Sequence, residues 1–331
     1  GHQLGIKYHE QATERPYRLR GFEQFELSTQ LLIFDSMQLG VEVEVLDASD
    51  QFIRLTHKDH VEYVRKGNMT SHDTTISHFI MENKTVTKRV LDDDGYRVPA
   101  GEEFSSVEQA VKGFDGFIGE PLVVKPKTTN YGWGISVFVE APDLEAYKEA
   151  VKIAFEFDDA ILVEEYIKGT EYRFFVLNGE TKAVLLRVPA NVVGDGKSTI
   201  SELIDEKNAN PLRGENHQTP MGKLEKGKIE RLMLHEQGLD FDSVLENGQR
   251  VYLRENSNVS TGGDSIDVTD SVHPSYKKVA EGIAAAIGVE VTGVDLIIPD
   301  KDQPSTYETP GYVCLEANFN PAMNMHAFVT K

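Results

Sequence analysis

Near its C-terminal end the chain reads Tyr312-Val-Cys-Leu-Glu-Ala-Asn-Phe-Asn-Pro-Ala-Met-Asn324, and shortly before that Gly293-Val-Asp-Leu-Ile-Ile298. Taken as a strand, Val313 to Asn318 sets Glu316 and Asn318 on one face, because side chains two apart point the same way. The earlier segment has the β-branched, apolar character of a buried strand and carries a single acid, Asp295, inside its hydrophobic run. A buried carboxylate without a partner is costly. Two neighbouring strands that place oxygens in one apolar layer therefore suit a hard cation, and oxygen-only donors favour Mg²⁺ over zinc. A pair of ordinary strands with acids solvated at the edge accounts for the same residues, and at this point both readings stand.

Composition narrows the function. The chain has 331 residues, enough for a large core, with 34 Lys plus Arg against 54 Asp plus Glu and a formal net charge of -20. That balance opposes nucleic-acid binding, which calls for a basic patch, but leaves room for a nucleotide held by a few placed cations. One cysteine, Cys314, excludes an intrachain disulfide framework and a cysteine-rich metal site. No apolar run reaches the roughly 18 residues of a membrane helix and no signal peptide opens the chain, so the expectation is a soluble cytoplasmic protein.

Working back along the chain, Phe25 to Leu39 has helical spacing and Gly40 stops it. Val41 to Leu46 alternates strictly as a half-buried strand, with a second short strand at Phe52 to Leu55. His57 to His60 reads as a turn and a solvated face more readily than as a metal cluster. A helix pair spans Asp73 to Leu91, with a new amphipathic turn starting at Asn83. Pro121-Leu-Val-Val-Lys125 is an apolar strand closed by a lysine, and Asn130-Tyr-Gly-Trp-Gly134 follows it, a glycine-rich loop whose bare amides suit phosphates. Ala160 to Ile167 is a strand ending in acids. Glu171 to Leu177 and Lys182 to Arg187 form a hairpin about Asn178-Gly179. Arg173 and Arg187 sit among apolar residues and need anionic partners, either structural ion pairs or a ligand. Gly194-Asp-Gly-Lys-Ser-Thr199 lacks the spacing of a nucleotide phosphate loop and reads as a helix cap. Residues 206 to 228 are expected to form a surface loop, with a helix from Ile229 to Gln237. Arg254-Glu-Asn-Ser-Asn-Val-Ser260-Thr261-Gly262-Gly263 gathers a guanidinium, amides and hydroxyls, a set suited to an anionic or peptide ligand.

In this order Lys88, Lys125, the loop 130 to 134, Glu164-Glu-Tyr-Ile167, Arg254 with Ser-Thr-Gly-Gly, Asp295 and Glu316-x-Asn318 resemble the ATP-grasp ligases. Gly169-Thr-Glu-Tyr-Arg-Phe-Phe-Val-Leu through Ile204 is similar both to cyanophycin synthetase and to the glutathione synthetase module of bacterial bifunctional γ-glutamate-cysteine ligase/glutathione synthetases. Residues 36 to 91 resemble the bifunctional enzymes.

The resemblance implies an α/β (α+β) ATP-grasp fold in which two α/β subdomains clamp ATP behind a small α/β lobe. Its segments would be 1–30 as a connecting arm, 31–90 as the lobe, 91–170 as the small subdomain and 171–331 as the large subdomain with the metal site. It implies ATP-dependent joining of γ-glutamylcysteine and glycine through an acyl phosphate, with another peptide or amino acid substrate, or a non-catalytic nucleotide-binding module, as alternatives. Lys88, Lys125 and the loop residues Tyr131, Gly132 and Gly134 would take the phosphates. Glu164, Glu165, Tyr166 and Ile167 would take the adenine, Glu171 the ribose or a metal, and Arg173 belongs to the same cofactor set. Asp295, Glu316 and Asn318 would hold two Mg²⁺, with Mn²⁺ as a substitute. Arg254, Ser260, Thr261, Gly262 and Gly263 would stabilise charge during the reaction. The resemblance further implies a γ-glutamate-cysteine ligase module ahead of this one and a further helix after Lys331, and it leaves a homo-oligomer open.

Overall fold

A computed structural model describes residues 19–128, 134–214, 219–254, 257 and 259–329. The chain separates into two compact units, each assembled from pieces distant in sequence. One takes Thr74–Thr181 and Ser271–Phe319; the other takes Gly1–Asp73, Lys182–Asp270 and Asn320–Lys331. Among the described residues no helix is long and apolar enough to cross a membrane.

The first of these units contains a four-stranded antiparallel sheet in the order Gly101–Phe104, Ile161–Glu165, Leu122–Pro126, Ser136–Phe138. Helices Val107–Lys112 and Leu144–Phe155 supply the residues that bury one face, and the core is built from Phe104, Leu122, Val124, Tyr147, Ile161 and Val163. Strand alternation then dictates the other face. Leu122 and Val124 point into the core, so Lys125 points away from it; Ile161 and Val163 point in, so Glu164 shares the face of Lys125. Gly101 lies opposite Glu164, and a Cβ there would stand 2.3 Å from the Val163 carbonyl and 2.8 Å from Glu164 Cγ. Only a residue with no side chain fits beside that carboxylate.

Three further strands, Thr170–Leu177, Val291–Ile298 and Val313–Asn318, run antiparallel with Val291–Ile298 in the middle. The helix Pro274–Ile287 buries Tyr276, Ala280, Ile283, Ala284 and Ile287 and ends at Gly288, whose φ of 74° is the left-handed conformation that closes a helix. Helices Thr75–Glu82 and Lys84–Asp93 meet at Asn83, which ends one and whose side chain accepts the Val86 N–H to start the next. The turn between Thr170–Leu177 and the strand that follows is Asn178-Gly179, both left-handed, as the dipeptide leads one to expect.

In the second unit the helix Leu27–Gln38 stops at Gly40, with φ 75°, and packs Ile33 with Phe25, Ile53 and Val64 against a meander of Glu42–Asp47, Phe52–His57 and His60–Arg65. The turn at Lys58-Asp59 agrees with the sequence, but the third strand does not appear in the sequence reading, because its apolar residues are interrupted by Glu62 and Arg65. A separate core of Val192, Ile200, Ile204, Leu224, Leu234 and Val251 joins the short pair Asn191–Val193 and Arg250–Tyr252 to helices Ile200–Asn208 and Lys228–Glu236. The segment expected to be a surface loop from 206 to 228 is anchored: Leu212, Met221 and Leu224 are buried. Those three side chains gain more from burial than the polar residues between them gain from water. The Gly194 to Thr199 stretch is an internal turn, in which Asp195 accepts the N–H groups of Lys197 and Ser198 and Thr199 caps the helix. Those bonds to the charged form hold the Asp195 carboxyl at about 2.

Candidate active site

Two groups of candidate residues come together in the unit that contains the four-stranded sheet. In the first, Glu164 is paired with Lys88 through Oε1 and with Lys125 through Oε2, the latter at 2.7 Å. Lys88 projects from the helix Lys84–Asp93, Lys125 from the strand Leu122–Pro126, and all three side chains are largely out of solvent. Burial pushes the Lys88 ammonium down to about 6, with the neighbouring charges of Lys125 and Lys84 adding to it. Burial, then Lys84, pushes Lys125 down to about 8. Cations crowded together and removed from water are poised for an anion.

In the second group Asp295 lies opposite Arg173 on one neighbouring strand and opposite Glu316 on the other. Arg173 Nε donates to Asp295 Oδ1 and Nη2 to Oδ2, both at 2.5 Å. Burial works against the Arg173 charge, but Asp295, then Glu316 and Glu171, outweigh it and hold the guanidinium above its usual range. Asn318 Nδ2 sits where three oxygens converge, 3.2 Å from Glu316 Oε1 and 3.4 Å from both Asp295 Oδ2 and the Gly293 carbonyl. The ladder carries a bulge between Asp295 and Leu296, which pair with Glu316 and Cys314 and leave Leu315 as the extra residue. Cys314 is buried next to this strand face, and burial pushes its thiol up, as befits a packing residue.

Lys84 joins the two groups. It lies one helical turn before Lys88, and its ammonium stands 3.9 Å from Glu316 Oε2. The sequence reading does not single it out, although the i, i+4 spacing of Lys84 and Lys88 behind an Asn cap places both on one helix face.

Glu165 accepts the Ala100 N–H at 2.8 Å and pairs with Arg97, while the Glu165 and Tyr166 N–H groups bond the carbonyls of Ala100 and Pro121. Ile167 follows as the chain leaves the strand, and Glu171 lies opposite Ile297. Gly134 has φ 73° and no room for a Cβ beside Phe157 and Pro126. Tyr131 and Gly132 lie outside the described residues.

The remaining candidates belong to the other unit. Arg254 bonds Glu230 and Glu225. Val259–Thr261 makes one turn of 3-10 helix, and Gly262 follows with φ 95°. Arg213 Nη1 donates to the Gly262 carbonyl at 3.0 Å, and the same guanidinium is paired with Asp264, which also takes Lys207 at 2.7 Å. Gly263 is buried between them. Arg213 and its partners do not stand out in sequence, since Arg213 and Asp264 are far apart along the chain.

Antiparallel sheets with clustered lysines beside a carboxylate-bearing strand pair fit an ATP-grasp protein, and the matches to known proteins show that the chain has that fold. An ATP-grasp-like domain family matches residues 23–76 and the D-ala D-ala ligase C-terminus family matches residues 97–201. More particularly, the chain is an ATP-grasp module homologous to the C-terminal part of the bacterial bifunctional glutathione biosynthesis proteins. It is 53% identical over 328 residues to the glutathione biosynthesis bifunctional protein GshAB of Enterococcus faecalis, covering 99% of this chain and 43% of that protein. With the protein of the same name from Mannheimia succiniciproducens it shares 54% over 329 residues, covering 99% of this chain and 44% of the relative. The crystal structure of a bifunctional glutathione synthetase from Pasteurella multocida superposes with a TM-score of 0.76 at 53% identity, over 99% of this chain and 45% of that one. The chain thus spans less than half the length of these relatives.

Proposed function

We propose that this chain forms glutathione from γ-glutamylcysteine and glycine at the expense of ATP, releasing ADP and phosphate. The observation that carries the reading is the Lys84–Glu316 contact, which brings a cluster of three lysines to the edge of a set of convergent oxygens. Phosphates need the first and their divalent cations the second.

The donor set suits such cations. Asp295 Oδ2, Glu316 Oε1 and the Gly293 carbonyl already surround the Asn318 amide, and an amide turned about its last torsion offers Oδ1 instead. Among the described residues no three His, Cys, Asp or Glu side chains gather into a cage. A cation held by Asp295, Glu316 and Asn318 would therefore keep water and phosphate oxygens as its other ligands, in the manner of Mg²⁺. Bound there, two Mg²⁺ or Mn²⁺ ions would neutralise the charge of the nucleotide phosphates.

Lys84, Lys88 and Lys125 would hold those phosphates. Backbone groups from Glu164 to Ile167 would take the adenine edge, and Glu171 the ribose. The cysteinyl carboxylate of γ-glutamylcysteine attacks the γ-phosphorus, giving an acyl phosphate, and the glycine amine then displaces phosphate. Arg254 and the amides of Ser260 to Gly263 would meet the charge that builds on the phosphoryl and tetrahedral oxygens. No protein nucleophile is required. A γ-glutamate-cysteine ligase module on the same polypeptide, in the cytoplasm, would supply the dipeptide.

The test is phosphate release from ATP with each candidate acid and amine. Release that requires γ-glutamylcysteine and glycine together supports the reading. Equal release with an aspartate-arginine polymer primer would reassign the substrate, and no release with any acid in the full-length protein would leave a nucleotide-binding module.

A further inference from the structure

Arg254 follows the strand Arg250–Tyr252, and its side chain is only 10% exposed. Its Nε donates to Glu230 Oε1 at 2.5 Å and its Nη2 to Glu225 Oε2 at 3.0 Å. The two acids differ in kind. The Glu225 side chain is 66% exposed and that of Glu230 is 2% exposed. An ion pair to a solvated acid contributes little, whereas a buried carboxylate is tolerated only when it is neutralised and its other lone pairs are bonded.

Glu230 meets both conditions. Its second oxygen accepts the Gly227 N–H at 2.9 Å, at the N-terminal end of the helix Lys228–Glu236. One oxygen is therefore fixed by a helix end and the other fixes the arginine. The guanidinium is a rigid planar fork, so a bond fixed at Nε, where the plane joins the aliphatic stem, orients the whole plane.

We propose that Glu230 is the positioning residue of Arg254: it sets the guanidinium plane that meets the anionic groups of the reaction, and Glu225 does not. The inference rests on the reading that Arg254 itself acts on those groups, and the experiment separates the two.

In the full-length protein, kcat and KM for each substrate are measured for Arg254→Lys, Glu230→Gln, Glu225→Gln and the double variant Arg254→Lys with Glu230→Gln. Wild-type turnover in Arg254→Lys removes the underlying reading. Where Arg254→Lys is impaired, Glu230→Gln is expected to lower kcat on the order of 10²-fold, the size of effect a displaced catalytic group produces, with KM values little changed. The double variant should be no slower than Arg254→Lys alone, because both substitutions remove one interaction. Glu225→Gln should stay within about 2-fold of wild type. The proposal is overturned by wild-type kcat in Glu230→Gln, by losses that multiply in the double variant, or by an equal loss in Glu225→Gln.

If Glu230→Gln does not fold, the Nε–H resonance of Arg254 in the wild-type protein decides. A bond to a buried carboxylate makes it slowly exchanging, absent in Arg254→Lys and retained with Mg-ATP. Rapid exchange of that proton overturns the assignment.

Discussion

Burial makes the charges of Lys88 and Lys125 costly, and an anionic ligand offsets that cost. In the free protein burial takes Lys88 to about 6 and Lys125 to about 8, and the charge of Glu316 works the other way on both. A polyphosphate adds negative charge beside both and raises both values. At neutral pH the free site then binds fewer protons than the occupied one, so nucleotide binding takes protons up. Calorimetry of Mg-ATP binding in buffers of different ionisation enthalpy should show net uptake near pH 7 and little below the free Lys88 value of about 6, with affinity falling as pH rises above it. Proton release, or an affinity independent of pH between those limits, would contradict the assignment of these lysines to phosphate. Glu316 offers a second test at this scale. Its side chain is 33% exposed, while the Asp295 carboxylate is buried and engaged at both oxygens by Arg173, which makes Glu316 the more available anionic ligand. Glu316→Gln should lower turnover roughly 10²-fold or more, read by phosphate release across a Mg²⁺ titration, without loss of folding. Near wild-type rates would mean that cations bind elsewhere.

At the scale of elements, strand alternation does most of the placing. It turns Lys125 and Glu164 to the face opposite the helix-covered core, and their diagonal offset on neighbouring antiparallel strands makes the ion pair. Gly101 on the next strand is the spacing device. Gly101→Val would drive a side chain into the Val163 carbonyl and Glu164, so it should cost about 1–3 kcal/mol of stability and also weaken nucleotide binding. Chemical denaturation and nucleotide titration of the same variant check this, and an unchanged melting curve would show that the strand accommodates the side chain. The elements themselves were largely legible. The strand Val313–Asn318, the break between helices at Asn83, the helix end at Gly40 and the Asn178-Gly179 turn all follow from period, cap or turn chemistry. What did not follow was the bulge that leaves Leu315 unpaired, and the strand His60–Arg65, which exposes Val61 and Tyr63 and sets Glu62 on the face of the buried Val64, so that it shows no apolar alternation. The anchoring of residues 206 to 228 also escaped, because three apolar residues scattered through a polar segment carry no period to read.

For the whole molecule, the phosphate-binding candidates and the convergent acids fall in one compact unit, while Arg254 and the Ser-Thr-Gly-Gly turn fall in the other. Mg-ATP alone should therefore slow amide exchange most in Lys84–Asp93, Leu122–Pro126 and Val313–Asn318, and γ-glutamylcysteine alone should leave those segments unchanged. Exchange measured by mass spectrometry with each ligand separately tests this. Stronger protection of Arg250–Tyr252 than of those three segments by Mg-ATP would mean that the nucleotide is held by the wrong set of residues. By itself the sequence determined the class of fold, the elements and the inventory of charged groups, because period, caps and turns are local and the family motifs occur in order along the chain. The tertiary structure alone decided which charges meet. Arg173 neutralises Asp295, Glu164 bridges Lys88 and Lys125, Lys84 reaches Glu316, and Glu230 fixes Arg254. Most of these pairs join residues far apart along the chain. Buried charge must be balanced in space, and sequence separation carries no record of which opposite charge will be there to balance it.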